Sequence, residues 1–154
     1  MKYEKEITEY WKTYKKKTGI IGDFQDAWGF GDTPELMDEL LELVLEGKKR
    51  ASTTLVQEME IEGYPEPEVG AYNIILNGAG KPGAIIKTTS VREVKFRDVD
   101  EEHAYWEGED ERTLEAYRRE HIKYYKRRGQ ALGFEFNDDM MVILERFEVV
   151  YHRF

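Results

Sequence analysis

The residue pattern changes at a single glycine, Gly47, and that change requires a helix to hand the chain directly to a sheet. Thr33-Pro34-Glu35 is a helix start, with a capping hydroxyl, proline at the first helical position and an acid at the positive end. Leu36, Met37, Leu40, Leu41, Val44 and Leu45 then recur at helical spacing, so a buried stripe runs over about 34–46. Gly47 reads as the stop, and Ser52 to Met59 reads as strand. Between them lies Lys48-Lys49-Arg50, followed closely by the hydroxyls of Ser52, Thr53 and Thr54. Buried segments rarely carry three consecutive bases, so this turn is either a solvated face or a place where positive charge meets a ligand.

On either side the pattern is mixed. Tyr3, Ile7, Tyr10, Trp11 and Tyr14 predict a helix over 3–17, with Lys15 to Lys17 at its negative end and Thr18-Gly19 ending it. Ile20 to Asp32 is glycine-rich and reads as a loop packed down by Trp28 and Phe30, which could also line a pocket for a flat ring. Two prolines make 63–70 an extended connection. Strands follow at 72–76 and 83–96, joined by a hairpin turn, and the second is expected to bend near Thr88 to Arg92. Helices are expected over 98–106 and 113–129, and a closing strand over 140–154. The order predicts one α+β domain over 1–154, with residues 1–19 as an N-terminal helical extension. About five or six mostly antiparallel strands would form a partly closed barrel with flanking helices, which leaves few free edges.

Charge narrows the partners. A net charge of −9 argues against a nucleic-acid coat role, on DNA or RNA, because that relies on surplus lysine and arginine. The chain has no cysteine, so thiol chemistry and thiolate metal sites are excluded. His103, His121 and His152 lack ligand spacing, and the acids Glu107, Glu109, Asp110 and Glu111 lack a calcium-loop pattern, so neither metal nor cofactor is expected. With no long apolar run and no signal-peptide pattern, the expectation is a cytoplasmic protein with no membrane partner. Nothing in the sequence sets an oligomeric state.

Several motifs in order resemble the ASCH family: Trp28-Gly29-Phe30-Gly31-Asp32, Gly47-x-Lys49-x-x-Ser52, Pro65-x-Pro67-x-x-Gly70, Phe96-Arg97-Asp98-Val99, His103-Ala104-x-x-Glu107-Gly108-Glu109-Asp110 and Leu114-x-x-Tyr117-Arg118-x-x-His121. The likeness spans roughly residues 28 to 151. It implies a PUA-like barrel, a fold associated with RNA binding, with a cleft floored by the Gly-x-Lys-x-x-Thr/Ser turn. Some small members of that family are amidohydrolases on acylated cytidine that use a lysine, a threonine and a glutamate, and a few larger ones cut RNA. Carried over, these positions are Lys49, Ser52 and Glu107, with Glu109 the competing acid because the stretch before Leu114 is longer here.

Two uses of these residues follow. In the first, the cleft binds RNA or a nucleoside- or nucleotide-like ligand: Lys48, Lys49 and Arg50 hold phosphate, Thr53 and its neighbours donate hydrogen bonds, and Trp28 or Phe30 stacks on a base. Arg118 and His121, three apart, add a charge and a donor from the far wall, unless Arg118 pairs with Glu107 or Glu109. His103 is expected to cap or pack near its helix. The alternative is hydrolysis of an N4-acylated cytidine or of RNA, in which a desolvated Lys49 of depressed pKa takes a proton from Ser52 and Glu107 orients the pair.

Overall fold

The computed structural model describes residues 3–152. Helix α1 (Lys5–Thr18) is followed by strand β1 (Asp26–Trp28), helix α2 (Pro34–Glu46), strand β2 (Ala51–Leu55) and helix α3 (Val56–Glu62). Strands β3 (Tyr72–Leu76) and β4 (Pro82–Lys95) form a hairpin, and a 3-10 turn (Phe96–Asp98) leads into helices α4 (Glu101–Glu107) and α5 (Leu114–Leu132). Strand β5 (Met141–His152) closes the chain; the expected end at 153–154 lies outside the described residues.

The five strands form one sheet in the order β1-β3-β4-β5-β2, with β1 parallel to β3 and the other neighbours antiparallel. The fold class is therefore α+β, as expected. Residues from both edge strands, Asp26 to Trp28 and Ser52 to Leu55, line one cavity, so the sheet curls until its two edges face each other across a gap. It is a half-barrel, and the gap is its cleft. Register shifts between β4 and β5 at Ile85/Ile86 and Thr88/Ser90 supply part of the bend, the second falling inside the expected Thr88 to Arg92 interval.

Helices cover both faces. Ile7, Tyr10, Trp11 and Tyr14 of α1 pack on Ile74 and Ile85, whereas Leu40, Leu41 and Val44 of α2 pack on Ile75, Ala84 and Ile86. Adjacent residues of β3 thus face opposite layers, which is why that strand reads as a continuous apolar run. A third cluster joins Leu55, Val142 and Leu144 to Phe96, Tyr117 and Tyr125 under α4 and α5.

Three expectations are corrected. The strand at Ser52 to Met59 stops at Leu55, because Gln57-Glu58-Met59-Glu60 is helix-forming sequence and becomes α3. The loop at 20–32 contains β1, a three-residue strand held by its parallel partner rather than by any local pattern. The last helix runs to Leu132, three residues past Gly129, since Gly129 sits where a Cβ would meet the Phe134 carbonyl oxygen at 2.4 Å and is a packing glycine rather than a stop.

Candidate functional site

The turn after α2 gives its three bases three different roles. Gly47 is left-handed at φ 86, and the amides of Lys48 and Lys49 both return to the Leu43 carbonyl at 3.0 and 3.1 Å. Lys48 is exposed and paired with Glu46 at 3.1 Å. Arg50 bends back onto the helix end, its Nη1 donating to the Val44 carbonyl at 2.6 Å and the Lys49 carbonyl at 2.9 Å. Lys49 alone turns inward and is only 2% exposed. Its Nζ donates to Glu109 Oε2 at 2.8 Å, Ala51 O at 3.0 Å and Glu107 O at 3.4 Å, and lies 4.8 Å from the centre of the Phe30 ring.

The acid facing this lysine is held by the end of α4. Asp100 caps that helix by accepting from the His103 amide at 2.9 Å, and Gly108 ends it at φ 72. A Cβ on Gly108 would sit 2.2 Å from the Lys48 carbonyl oxygen, so the helix end presses directly on the basic turn. The Arg50 amide completes the junction by donating to the Trp106 carbonyl at 2.7 Å. Glu107 is consequently buried. Its Oε2 accepts from Thr53 Oγ1 at 2.5 Å, its Oε1 lies 3.2 Å from His121 Nε2, and Lys49 Nζ is 3.8 Å away.

Proton placement in this cluster follows from donor counting. A carboxylate only accepts, so Thr53 spends its one proton on Glu107. Tyr117 OH at 2.7 Å and His103 Nε2 at 2.9 Å must then both donate to the Thr53 oxygen. His121 Nδ1 donates to the Tyr117 carbonyl at 2.8 Å, and with Nε2 turned to Glu107 the ring carries both protons. Burial alone would push the Glu107 carboxyl up, but His121 and Lys49 beside it hold it well below the ordinary range. Burial likewise opposes a charged His121, yet the pull of Glu107 raises its pKa. For Lys49, desolvation is outweighed by Glu109 and Glu107, so its pKa is raised. The expected depression of Lys49 is thus reversed. Glu109 is raised, because burial and the charge of Glu107 exceed the help from Lys49.

The cleft has two lobes, of about 410 and 380 Å³, which share Phe30, Gly31, Ser52, Thr53, Tyr124 and Tyr125. Lys49, Glu107, Glu109 and His121 line the second. Ser52 opens on both lobes, and among the described residues its hydroxyl has no hydrogen-bond partner. It sits opposite Glu145 of β5, a buried carboxyl that accepts from the Thr88 hydroxyl and is pushed up by burial.

A family model for the ASCH domain matches residues 26–151. The chain belongs to the ASCH domain family. An ASCH domain of known structure from Lactobacillus crispatus is similar at 29% identity, covering 99% of this chain and 98% of that one, with a TM-score of 0.87. A protein of the DUF984 family from Enterococcus faecalis is 32% identical over 95% of this chain and 88% of its own, also with a TM-score of 0.87. No curated protein matches. Among the described residues, no helix is long and apolar enough to cross a membrane, and no group of three or more metal-ligating side chains is arranged to hold an ion.

Within this ASCH domain, the structure brings together Lys49, Ser52, Thr53, Glu107, Glu109 and His121. Trp28 lines the first lobe, with its Nε1 donating to Asn73 Oδ1 at 2.9 Å, and meets Phe30 edge to face at 4.7 Å. Phe30 is itself core, stacked on Phe147. Arg118 is not brought in: it is exposed, lines neither lobe and donates to the Arg97 carbonyl at 3.1 Å, so it neither faces the cleft nor pairs with Glu107 or Glu109. Lys48 and Arg50 line neither lobe, so the phosphate role expected of them has no support in the geometry. Sequence reasoning assigned no site role to His103, Tyr117, Glu145, Asn73 or Glu58. A usable signal existed for the first two, since His103 precedes Glu107 by four residues and Tyr117 precedes His121 by four, which places each pair on one helix face.

Proposed function

We propose that the cleft holds a nucleoside-like ligand and that its Lys49 end hydrolyses an acyl amide on that ligand. The observation that carries this reading is the unbonded Ser52 hydroxyl at the junction of the two lobes, in the same cleft as the ion pair between buried Lys49 and half-buried Glu109. Because Lys49 rests protonated, its role is to stabilise negative charge on the attacked carbonyl oxygen, exchanging its long contact to the Glu107 carbonyl for that oxygen. Ser52 Oγ bonds to the carbonyl carbon and its proton passes to the Glu109 carboxylate, whose pKa burial and the charge of Glu107 raise above the ordinary value. When the tetrahedral adduct collapses, the C–N bond breaks and the same proton goes to the leaving amine. Water then cleaves the acyl-serine. Glu107 keeps Thr53, His121 and Lys49 in place, and its low pKa suits that fixed charge better than proton transfer.

Acidic lining argues for a small ligand over a polyanion, since Glu107, Glu109, Asp110 and Glu120 all border the second lobe. A second reading, RNA held without cleavage, is favoured only by the exposed Lys123 and Arg127 at the rim of that lobe. The deciding experiment is release of acetate from N4-acetylcytidine. It should be abolished by Ser52→Ala and by Lys49→Ala, with Ser52→Ala leaving stability unchanged. Intact substrate after prolonged incubation at high protein concentration overturns hydrolysis. Salt-sensitive retention of a short RNA strand, lost on replacing Lys123 and Arg127 together by alanine, would then support the second reading.

A further inference from the structure

The first lobe differs in charge from the second. It is bordered by the carboxyls of Asp26, Glu58 and Glu145, and among the described residues no lysine, arginine or histidine lines it. Asp26 is occupied, its Oδ1 taking the Tyr3 hydroxyl at 2.7 Å and the Ala27 amide at 2.9 Å. The other two each keep one oxygen without a hydrogen bond among the described residues. Glu58 is 7% exposed, and its Oε2 is buried with no hydrogen-bond partner. Arg128, the nearest cation, approaches only Oε1, at 3.6 Å, while it donates to Glu62 at 2.6 Å. Glu145 accepts from Thr88 on Oε2, and Oε1 has no partner among the described residues.

A carboxylate oxygen left without a hydrogen bond in a nearly buried position costs free energy, and a bound donor is one partner that would remove that cost. For Glu58 and Glu145 alike, burial raises the pKa, the Arg128 charge offsetting it only partly for Glu58. The rest of the wall is flat and aromatic, with Trp28, Phe30, Tyr64, Tyr124 and Tyr125 around the same space. Aromatic faces and carboxylates attract the same kind of guest.

We propose that this lobe is a binding site for a small planar cation, an aromatic ring carrying an amidinium, guanidinium or protonated amino group, with Glu58 and Glu145 as its hydrogen-bond acceptors. The charged group would donate to the two carboxyls while the ring lies among the aromatic side chains. Anions such as phosphate are excluded from this lobe. The assignment rests on the cleft being a ligand site, as the proposed function does, but not on any bond being cut there.

The test uses benzamidinium chloride against its neutral near-isostere benzamide. Both are titrated into the full-length protein at neutral pH, followed by intrinsic fluorescence and by the indole N–H resonance of Trp28. Benzamidinium should bind saturably and at least about tenfold more tightly than benzamide, and should shift the Trp28 indole and Asn73 side-chain signals. Glu58→Gln and Glu145→Gln, which keep shape and remove charge, should each weaken it by about tenfold. Equal affinity for the two probes, no benzamidinium binding where a millimolar Kd would saturate, or shifts confined to residues outside this lobe would each overturn the proposal. The wild-type comparison and its resonance map stand even if a glutamine variant misfolds. Acetylcytidine hydrolysis with no benzamidinium binding would remove this site and leave the proposed reaction intact.

Discussion

Thr53 Oγ1 lies 2.5 Å from Glu107 Oε2, and that single contact organises four side chains from three elements. Because the hydroxyl proton is directed at Glu107, both lone pairs of the oxygen are filled by Tyr117 and His103. Thr53 is therefore a junction rather than a nucleophile, although it stands beside the hydroxyl that is free.

Replacing Thr53 by valine keeps the shape and removes the junction, leaving a buried carboxylate, a phenol and an imidazole N–H short of a partner. The expected loss of stability is about 1–3 kcal/mol, read as a shift of the urea midpoint. Ser52→Ala next to it should stay within about 0.5 kcal/mol. Equal effects of the two changes would remove Thr53 from the centre of the cluster.

Lys49 and Lys48 are neighbours in sequence and opposite in consequence. Lys49→Met leaves Glu109 without its partner and removes one of the two cations beside Glu107, so destabilisation of about 3–5 kcal/mol is expected. Lys48→Met removes one exposed ion pair and should cost no more than about 1 kcal/mol. Chemical denaturation of the two variants side by side measures the difference.

Gly108 is both left-handed and in contact with backbone. Gly108→Ala should destabilise by more than the roughly 1 kcal/mol of a glycine replaced at positive φ, since the Lys48 carbonyl has to move as well. The displaced turn carries Lys49, so hydrolysis should fall together with stability. Gly63→Ala, at φ 74 with open space around it, gives the strain-only control.

The cluster should make stability depend on pH from two sides. His121 has a raised pKa, so its charged form contributes fully below the unfolded value of 6.5, and the contribution is lost as pH climbs through the folded value. Glu107 is lowered, so its contribution is present above the unfolded value of 4.5 and is lost as pH falls toward the folded one. Both are present between those two values. Thermal melts across pH should show His121→Gln losing most, relative to wild type, below pH 6.5 and least in alkali.

Much of this was legible before any coordinates, for reasons that can be named. The helix at 34–46 announces itself through Thr33, Pro34 and Gly47, all local signals, and the turn Lys48 to Arg50 stands out because bases beside hydroxyls at a helix-to-strand junction are unusual, whereas the choice of Lys49 within it comes from the resemblance to the ASCH family. The choice between Glu107 and Glu109 was not legible, because both touch Lys49: one through its carbonyl and a longer ion pair, the other through a direct hydrogen bond. Arg118 was misplaced because spacing on α5 fixes which residues share a face but not which way that face points. Strand β1 escaped notice since three residues stopped by Gly29 carry no period. Glu145 left a fainter trace, as a charged residue in step with the apolar Ile143 and Phe147 on one face of the strand.

The seat of α4 on the basic turn is held from both sides of Gly108: by the Trp106 carbonyl and the Gly108 backbone, and after them by Glu109 on Lys49 and by Arg112, which donates to the Lys48 carbonyl at 3.2 Å and to the Tyr105 carbonyl at 3.0 Å. Asp110 and Arg112 both adopt positive φ in the segment that carries this second clamp. A change of length between Glu109 and Arg112 therefore moves a clamp on the basic turn, whereas a single insertion between His103 and Gly108 rotates Glu107 itself off its lysine. The register of the acid thus depends on a loop closing back on its own helix, and a scan of one-residue insertions from position 103 to 113 should show the largest loss before Gly108, a smaller one up to Arg112 and the least beyond it.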